Sequence, residues 1–461
     1  MSVITAGKLC EVVGGKWIRG DKKTRIKGLI CRYTEAKPGQ IYFDVRGGKG
    51  GDSNILGALK NGASAVVISK HKRRVPFEDE TIPVIAVPNV WEAFWSTVRF
   101  YREMYDIPVV GVTGTSGKTT TTAMISAIFR RRWKVLKTVG NLNLPPFVPS
   151  QIMRLKWGYQ AAVFEVGMNR PGQISKQSRA IRPKVGVITH IGTGHIEHLG
   201  SYENVILEKS GIMEGIPSDG CLVLNSDDSA TKAIDLSGFT GKVLYYGLVN
   251  PADFMAQDLE FKENGTSFKV KINGKLQPIF IPTYGKHNVY NALAAIAVAQ
   301  YYNFDAATIR QGLARYHKPH MRLQIDKGLN NSVLINDTYN ANPDSIMAGL
   351  EVLATLAKGR NSVAVLGNML EQGEFSAEHH RKVGEKVEQL KINWLITVGT
   401  LAKDIARGVK TKNMYIKSFN YTKEASKFLR ENLPKNSVVL VKGSRGARME
   451  WVVKGLLQKD E

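Results

Sequence analysis

The sequence predicts an α/β protein in which helices cover mostly parallel sheets. Two observations predict this class. Short apolar runs of strand length alternate with helical segments over most of the chain, which is typical of parallel sheets with crossover helices. Hydrophobic residues make up 43% and charged residues 23% of the chain, an ordinary globular balance that excludes disordered, collagen-like and coiled-coil proteins.

Changes in this pattern divide the 461 residues into three blocks, as expected for roughly 100–200 residues per domain. We predict that each block is a domain: the first block is 1–105, the central block 106–322 and the third block 323–461. Strand-like runs in the first block lie at 40–45, 65–69 and 82–87, with helical stretches between them.

The central block begins with an apolar run that leads into a glycine-rich turn. Its predicted strands are 109–113, 161–166, 185–191, 221–225 and 242–247. Residues 253–283 differ, because alternating residues around Asn264-Gly265 and Asn273-Gly274 predict hairpins and so a small antiparallel addition.

The third block alternates strands and helices again. Its predicted strands are 332–336, 362–366, 394–398 and 437–442, and its first predicted helix is 343–357. This alternation predicts a second doubly wound domain.

The net charge of +24 points to an anionic partner. The excess is spread along the whole chain, and the tight runs are Lys72-Arg73-Arg74 and Arg130-Arg131-Arg132. A nucleic-acid site would more often be one basic stripe. We therefore expect that the basic runs lie on solvated faces or attract phosphorylated small molecules. We expect no nucleic-acid partner, and contact with a membrane surface is a further alternative.

Membrane and secretory proteins are not indicated. The longest apolar run, 292–299, is far shorter than the ~20 residues of a membrane helix, and we interpret it as one face of a soluble helix. Residues 1–17 lack the pattern of a signal peptide. Three distant cysteines, Cys10, Cys31 and Cys221, argue against a disulfide framework or a zinc site. We expect a cytoplasmic protein, and a monomer.

The strongest local signal is the segment 111–120, GVTGTSGKTT, between a strand and a helix predicted at 121–130. Backbone N–H groups at such a helix start can hold phosphate oxygens. Lys118 would reach the β- and γ-phosphates, and the Thr119 hydroxyl would bind Mg²⁺. The spacing is imperfect, because Val112 stands where the common motif has glycine. Residues predicted to bind the nucleotide phosphates are Gly114, Thr115, Ser116, Gly117, Lys118, Thr119 and Thr120. The loop alone leaves kinase, GTPase and ligase open.

Further segments narrow this choice. They are FEVGMN at 164–169, THIGTGHIEHLG at 189–200, GKHNVYN at 285–291, NDTYNANP at 336–343, LGNMLE at 366–371 and KGSRG at 442–446. From about residue 105 onward the chain therefore resembles the Mur ligases, ATP-dependent amide-forming enzymes of peptidoglycan synthesis. It is most similar to the branch that adds D-alanyl-D-alanine to a UDP-N-acetylmuramoyl tripeptide.

The resemblance implies a three-domain architecture: a UDP-sugar domain, a central ATP-binding domain and a C-terminal Rossmann-like domain for the dipeptide. It implies two Mg²⁺ ions beside ATP, with Glu165 at the ion between the β- and γ-phosphates and His195 at the second. It places a carbamylated lysine at Lys209, because reaction with CO₂ turns the ammonium into an oxygen ligand for a metal. The implied metal ligands are Thr119, Glu165, His195 and Lys209. Arg322 would reach the ATP phosphates when the domains close.

The resemblance also implies binding roles for polar side chains. His287, Asn288 and Asn291 match the adenine-side segment, although Asn288 could instead cap a helix. Asp337 would hold the ribose hydroxyls. Residues that would contact the joined substrates are Asn141, Asn143, Tyr339, Asn340, Asn342, Lys442, Ser444 and Arg445. Of these, Lys442, Ser444 and Arg445 would face a carboxylate or phosphate.

The chain departs from the family pattern where the nucleotide sugar should bind. Arg32-Tyr33-Thr34 stands in place of Asp-Ser-Arg, and Gly51-Asp52 in place of Gly-His. Leu144 and Phe147 replace an asparagine and a glycine. Two interpretations stay open: other contacts hold the same UDP-muramoyl tripeptide, or the carboxylate substrate is a different one.

The implied reaction makes an acyl phosphate from ATP and a carboxylate, and D-alanyl-D-alanine then captures it. Such phosphoryl transfer needs mainly positioning and charge neutralisation. A P-loop kinase or GTPase is a rival, but we find no Asn-Lys-x-Asp guanine-reading segment. A non-catalytic nucleotide-binding regulator of the cell-wall pathway is another, and the presence of Lys118, Glu165, His195 and Lys209 argues against it.

Overall fold

The computed structural model describes residues 4–46, 50–72, 74–145, 147–194, 196–262 and 264–458. His195 and Arg73, both singled out by the sequence, lie outside these ranges. The α/β prediction is confirmed: helices cover three sheets that are largely parallel.

The first block carries a sheet with strand order β2-β7-β6-β5-β4, in which β2 runs antiparallel to β7 and the other neighbours are parallel. A separate small ladder pairs β1 with β3. The described strands of this block are β1 Ile4–Thr5, β2 Lys16–Arg19, β3 Arg25–Ile26, β4 Gly28–Ile30, β5 Gln40–Phe43, β6 Ala65–Ser69 and β7 Val84–Val87, and its helices are α1 Ala6–Val12, α2 Gly51–Lys60 and α3 Val90–Glu103.

The central block holds a parallel sheet with the strand order β14-β13-β12-β11-β8-β10-β9. Within the described ranges its strands are β8 Val109–Thr113, β9 Val135–Lys137, β10 Ala161–Glu165, β11 Val185–Ile188, β12 Cys221–Asn225, β13 Lys242–Gly247 and β14 Phe254–Met255. Its helices are α4 Lys118–Phe129, α5 Val148–Ile152, α6 Gln173–Ile181, α7 Ile196–Leu199, α8 Tyr202–Ser210, α9 Ser229–Lys232, α10 Lys286–Tyr301 and α11 Ala306–Ala314. Because β8 lies inside the sheet between β11 and β10, residues at its carboxyl end meet side chains from both neighbours.

The antiparallel addition is also found. It contains β15 Gln257–Lys262, β16 Gly265–Ile272 and β17 Lys275–Ile281, in that order. Asn273 and Gly274 join β16 to β17 as a two-residue turn, and both have positive φ, 48° and 78°. The Asn-Gly pair therefore forms the hairpin that its sequence predicts.

The third block has the strand order β18-β19-β23-β20-β21-β22, with β18 antiparallel to β19 and the rest parallel. Its described strands are β18 Gln324–Gly328, β19 Ser332–Asp337, β20 Ser362–Gly367, β21 Trp394–Val398, β22 Tyr415–Phe419 and β23 Val438–Lys442, and its helices are α12 Pro343–Leu356, α13 Ser376–Gln389, α14 Lys403–Arg407, α15 Thr422–Asn432 and α16 Glu450–Leu456. The second doubly wound unit is confirmed.

Several predicted elements differ in their ends from the structure, such as the helix predicted at 121–130, which is Lys118–Phe129, and two differences have a clear physical reason. The strand predicted at 185–191 ends at Ile188, because Thr189 and His190 turn to bond the phosphate loop. The apolar run 292–299 is not one face of a helix: α10 lies in the core and all eight residues are fully buried. Eight consecutive residues exceed two turns, so they must point in every direction around the helix axis. No described helix is long and apolar enough to cross a membrane.

Candidate active site

The segment 114–117 is a tight loop between β8 and α4, held by the neighbouring strand end. Gly114 and Gly117 have φ of 140° and 92°, where side chains are strained. A Cβ on Gly114 would lie 2.0 Å from Oγ1 of Thr189, so there is no room for one. The Thr189 hydroxyl donates to the Ser116 carbonyl at 2.6 Å, and the Thr115 N–H donates to the His190 carbonyl at 2.6 Å. These contacts fix the loop shape that helix α4 needs at its start.

Lys118 is the first residue of α4, and its side chain folds back over the loop. Its Nζ donates to the carbonyls of Gly114 at 2.7 Å and Thr115 at 3.0 Å. Burial lowers the pKa of Lys118, Glu165 raises it and Arg322 lowers it further. A cation held beside N–H groups at a helix start is well placed for phosphate oxygens. Thr119 and Thr120 lie in the same first helical turn.

Glu165 ends β10 beside the loop and is almost fully buried. Its Oε1 accepts a hydrogen bond from Asn143 Nδ2 at 2.7 Å, and the Asn143 carbonyl accepts from the Gly167 N–H at 2.8 Å. One carboxylate oxygen is thus oriented by an amide, and carboxylate oxygen is a ligand that Mg²⁺ prefers. Among the residues that the structure describes, no three His, Cys, Asp or Glu side chains cluster as a metal site. The other oxygens would have to come from the nucleotide, water, a hydroxyl or a modified side chain.

Lys209 on α8 is fully buried, and its Nζ has no hydrogen-bond partner in the described part of the chain. Burial holds the pKa of Lys209 well below its usual range, and the positive charge of Lys118 adds to this effect. The neighbouring Glu208 raises it, but its carboxylate oxygens already accept the N–H groups of Gly172 and Ile174. An unpartnered amine is costly in a protein interior, and a lowered pKa favours its neutral, nucleophilic form.

Asn288 and Asn291 lie one turn apart on α10. Their side-chain amides form a chain of hydrogen bonds that ends at helix α4. Asn288 Nδ2 donates to the Tyr284 carbonyl at 2.7 Å, and its Oδ1 accepts from Asn291 Nδ2 at 3.1 Å. Asn291 Oδ1 accepts from the Thr121 hydroxyl at 3.2 Å. Asn288 therefore stabilises the start of α10 as well as facing a cavity. Burial lowers the pKa of His287 to about 4, so its imidazole is neutral.

Asp337 and Lys442 end the adjacent strands β19 and β23 and stand opposite each other. Lys442 Nζ donates to Asp337 Oδ2 at 2.6 Å and to the Asn340 carbonyl at 2.9 Å, and it is almost fully buried. The remaining oxygen of Asp337 accepts the Leu323 N–H at 3.2 Å. Lys442 therefore lies on a strand and orients Asp337. Lys442 is thus not part of the loop that follows the strand, where Ser444 is buried and Arg445 is exposed.

Arg322 lies where the central and third blocks join, with its guanidinium carbon 4.3 Å from the centre of the Tyr339 ring. Such stacking orients the guanidinium plane. Its Nε is buried and forms no hydrogen bond within the described ranges. Met321 and Leu323 on either side have positive φ, 55° and 46°. Arg322 is thus a cation with unused donor capacity at the junction of the blocks.

Two cavities meet at the phosphate loop. The first cavity, about 480 Å³, lies on the α10 side, and the second, about 490 Å³, on the Glu165 side. The predicted site residues that line the first are Ser116, Gly117, Thr120, His287, Asn288, Asn291, Arg322, Asp337 and Lys442. Those that line the second are Thr115, Ser116, Gly117, Lys118, Thr119, Thr120, Asn141, Asn143, Glu165, Arg322, Tyr339, Asn340, Asn342, Ser444 and Arg445. Neither lining includes Gly114, the first residue of the loop, or Lys209.

Several polar residues at these cavities were missed by the sequence reasoning. Asp227 accepts N–H groups of Leu248 and Asn250 and the Tyr290 hydroxyl, which closes one wall of the first cavity. His190 lies between Asp228 and Asp344, at 3.1 and 3.5 Å. His190 lies within the motif segment 189–200, and Asp344 directly follows the motif segment 336–343. Their positions in and beside these motifs were the sequence signal that could have indicated them.

Two of the departures from the family pattern contact each other. The guanidinium carbon of Arg32 lies 5.7 Å from the centre of the Phe147 ring, which joins the first block to the central block. Tyr33 packs on α2 where Gly57 leaves room, since a Cβ there would lie 2.7 Å from the ring. Asp52 forms an ion pair with Lys72 at 2.6 Å. Arg32 and Phe147 thus interact directly, while Tyr33 and Asp52 contact other residues of the first block.

Comparison with known proteins connects this geometry to one family. The family model described as the Mur ligase middle domain matches residues 112–299, and the model described as the Mur ligase, glutamate ligase domain matches 321–445. UDP-N-acetylmuramoyl-tripeptide–D-alanyl-D-alanine ligase of Bacillus subtilis (strain 168) is 32% identical over 458 residues, which cover 98% of each protein.

Solved structures show the same architecture. A crystal structure of MurF from Acinetobacter baumannii is similar with a TM-score of 0.88 and 27% identity, and the match covers 100% of both chains. MurF ligase from Thermotoga maritima in complex with ADP is similar with a TM-score of 0.79, at 24% identity over 93% of this chain and 96% of that one. The three-block arrangement therefore recurs over the whole length of this chain.

Proposed function

Because the chain belongs to the Mur ligase family, we propose that it joins D-alanyl-D-alanine to a UDP-N-acetylmuramoyl tripeptide with hydrolysis of ATP to ADP and phosphate. The B. subtilis relative carries the name of this activity over the full length of the match. The structural neighbour solved with ADP supports ATP as the nucleotide.

The observation that carries this proposal is the meeting of two cavities at one phosphate loop. Ser116, Gly117, Thr120, Arg322 and Ser345 line both cavities. A nucleotide in the first cavity would present its terminal phosphate to whatever the second cavity holds. A GTPase needs room only for water there, whereas a ligase needs room for a carboxylate and an amine. The second cavity, about 490 Å³, has the size of a small-molecule site.

The reaction has two steps. A carboxylate oxygen of the acceptor attacks the γ-phosphorus, the bond to the β-phosphate oxygen breaks, and ADP and an acyl phosphate form. The neutral amine of D-alanyl-D-alanine then attacks the acyl carbon. The tetrahedral intermediate expels inorganic phosphate, and the nitrogen loses a proton to leave the amide. Water must be excluded in between, because it would hydrolyse the acyl phosphate.

The chain supplies mainly charge and position for these steps. Lys118 and Arg322 neutralise the phosphate oxygens, and the loop N–H groups hold them. His287, Asn288, Asn291 and Asp337 line the nucleoside end. Tyr339, Asn340, Asn342, Ser444 and Arg445 line the second cavity, where the dipeptide and acceptor would lie. Asn141 and Asn143 face the same cavity from the central block.

The described residues fit two Mg²⁺ ions only with help from a modified lysine. Thr119 and Glu165 offer oxygen ligands, and His195 is proposed for the second ion. Lys209 fits carbamylation because its amine is buried and unpartnered and its pKa is held well below its usual range. Its nitrogen would bond to the carbon of CO₂ and lose a proton, which converts a repelled ammonium into a carboxylate-like ligand. When bound, Mg²⁺ neutralises charge on the transferred phosphate.

The first block would hold the nucleotide sugar through a different set of contacts from the usual ones. The contact of Arg32 with Phe147 across the two blocks supports this interpretation. A paralogue that joins an amine to another carboxylate is the alternative, and it predicts that a different acceptor is used. Free Cys10, Cys31 and Cys221 are compatible with the proposed cytoplasmic site of action.

Phosphate release with ATP, D-alanyl-D-alanine and a panel of carboxylates tests the proposal. The panel includes UDP-linked muramoyl tripeptides that differ in their third residue. We expect release only when both the carboxylate and the amine are present, together with a joined product of matching mass. Nucleotide turnover without the amine would favour a kinase or GTPase, and no turnover with any acceptor would favour a non-catalytic regulator.

A further inference from the structure

His190 lies between two carboxylates that belong to different blocks. Its Nδ1 is 3.1 Å from Asp228 Oδ2 in the central block, and its Nε2 is 3.5 Å from Asp344 Oδ2 in the third block. Asp228 is almost fully buried, while His190 and Asp344 are partly exposed. The imidazole therefore bridges the gap between the two blocks at the wall of the first cavity.

The central-block end of this bridge is rigid. Asp228 Oδ2 also accepts the Ile191 N–H at 2.8 Å, and Oδ1 accepts the Ala230 N–H at 3.1 Å. The backbone carbonyl of His190 accepts the Thr115 N–H of the phosphate loop at 2.6 Å. The ring is thus fixed to the same loop that would hold the nucleotide phosphates.

The third-block end of the bridge is the start of α12. Asp344 is the second residue of this helix, and Asn342 caps it. Asn342 also crosses between the blocks, since its Nδ2 donates to the Ser116 hydroxyl at 3.1 Å. A Cβ on Gly192 would lie 1.9 Å from Asp344 Oδ2, so the close approach requires glycine there. Two polar contacts and one tight packing contact therefore join the helix start to the loop.

A bridge of this kind requires a charged ring. A neutral imidazole donates from one nitrogen only, so its other lone pair would face a carboxylate oxygen. Burial disfavours the charge, but hydrogen bonds and charge from Asp228 and Asp344 raise the pKa of His190 to about 10. Burial raises the pKa of Asp344, but the hydrogen bond and positive charge of His190 hold it below its usual range. His190 is thus an imidazolium at neutral pH.

We propose that His190 is a positioning residue that clasps the start of α12 to the phosphate loop and so holds the third block closed over the nucleotide. The inference rests on the proposed function, because closure brings Asp337 and Arg322 to one nucleotide. At 3.5 Å the contact between His190 Nε2 and Asp344 Oδ2 is at the long limit for a hydrogen bond. The clasp therefore has capacity to tighten when a nucleotide draws the blocks together.

The clasp touches neither the reacting atoms nor the predicted metal ligands, so its loss should weaken nucleotide binding more than chemistry. We expect His190→Asn and Asp344→Asn each to raise the KM for ATP and the Kd for ADP about tenfold. The kcat at saturating ATP should stay within about twofold of the parent. Asp344→Glu keeps a carboxylate and should recover part of the affinity.

The experiment compares these variants and the double variant His190→Asn/Asp344→Asn with the full-length parent. Calorimetric titration with ADP gives Kd, phosphate release gives KM and kcat, and X-ray scattering with and without ADP gives the change in radius of gyration. His198→Asn, an exposed histidine on the same connection, is the matched control. Circular dichroism establishes that each variant is folded.

If the clasp is real, the double variant binds ADP no more weakly than the weaker single variant, and the variants contract less than the parent on adding ADP. Additive losses, or parent-like ADP affinity in Asp344→Asn, would overturn the proposal. ADP titration and scattering need no acceptor substrate. If the parent binds ADP but forms no amide, the proposed function is refuted. The ADP titrations and scattering still decide whether the clasp exists.

Discussion

The junction between the central and third blocks differs in kind from the region that joins the first block. At the junction, side chains of the third block reach the phosphate loop and the strand end beside it, as in the Asn342–Ser116 bond at 3.1 Å and the Asp344–His190 contact at 3.5 Å. The first block is joined to the central block by buried bonds to backbone carbonyls, such as Arg102 Nε to Ile181 at 2.8 Å, whereas its replaced motif residues make long or exposed contacts, as in the Arg32–Phe147 stacking. The family's motif residues are present in the former region and replaced in the latter.

This difference shows that phosphoryl transfer and acceptor recognition place different demands on the protein. Phosphoryl transfer fixes charges and donors around one small group, so few arrangements of side chains serve it. Recognition of a large nucleotide sugar can be spread over many weak contacts that several residue sets can provide. If the two regions have separate roles, substitutions at the junction should impair phosphoryl transfer, and substitutions in the first block should impair recognition of the acceptor.

The largest effect is expected for Lys118→Ala. The cation is fixed by two loop carbonyls, and nothing else in the described loop replaces its charge. We expect ATP turnover to fall by at least about 100-fold, the cost of losing one fixed donor at a transferring group. Phosphate release measures this, and Lys134→Ala, an exposed lysine of the same block, is the control. Ordinary turnover in Lys118→Ala would show that the loop does not act on phosphate.

Lys209→Ala should be the next most damaging change. Removing the amine removes the proposed carbamate, and we expect turnover to fall about 10- to 100-fold, as for loss of a ligand-orienting group. Small carboxylates such as formate or acetate should restore part of it by filling the vacated space. Exposed Lys232→Ala should show neither the loss nor the rescue. A fully active Lys209→Ala would remove the carbamate from the proposal.

Lys442→Met tests the buried pair of the third block through stability. The apolar side chain leaves the Asp337 carboxylate buried without its cation, which typically costs about 3–5 kcal/mol. Urea denaturation measures the loss. The double variant Lys442→Met/Asp337→Asn removes both charges and should regain most of the stability. If Lys442→Met is as stable as the parent, the ion pair with Asp337 does not stabilise the third block.

Much of the fold could be predicted from the sequence because the strands are short apolar runs with clear ends. The strand at 221–225 and the Asn273-Gly274 turn were predicted residue by residue. The burial of α10 was not, because a helix covered on all sides has no polar face that periodicity could reveal. The early end of β11 depends on bonds from Thr189 and His190 to a loop 73 or more residues away.

The sequence motifs predicted the residues of the candidate site but not all of the contacts between them. Lys118, Glu165 and Asn143 do lie together, and the buried environment of Lys209 fits its expected chemistry. The motifs do not show that Lys442 points at Asp337, since that depends on strand register. Nor do they show the bridge from His190 to Asp344, because it exists only once two separately folded sheets are packed against each other.

The smallest effect is expected where the first and central blocks touch. Arg32 stacks on Phe147 while its guanidinium also pairs with Glu35 at 2.8 Å, and a partly exposed cation–π contact contributes about 0.5–1 kcal/mol. Arg32→Ala and Phe147→Leu should each raise the KM for the UDP-sugar acceptor about two- to fivefold and leave the KM for ATP unchanged. The double variant should be no worse than either single variant, and exposed Arg25→Ala is the matched control. A rise in the KM for ATP instead would break the separation between recognition and chemistry, because it would connect the replaced residues to the nucleotide side.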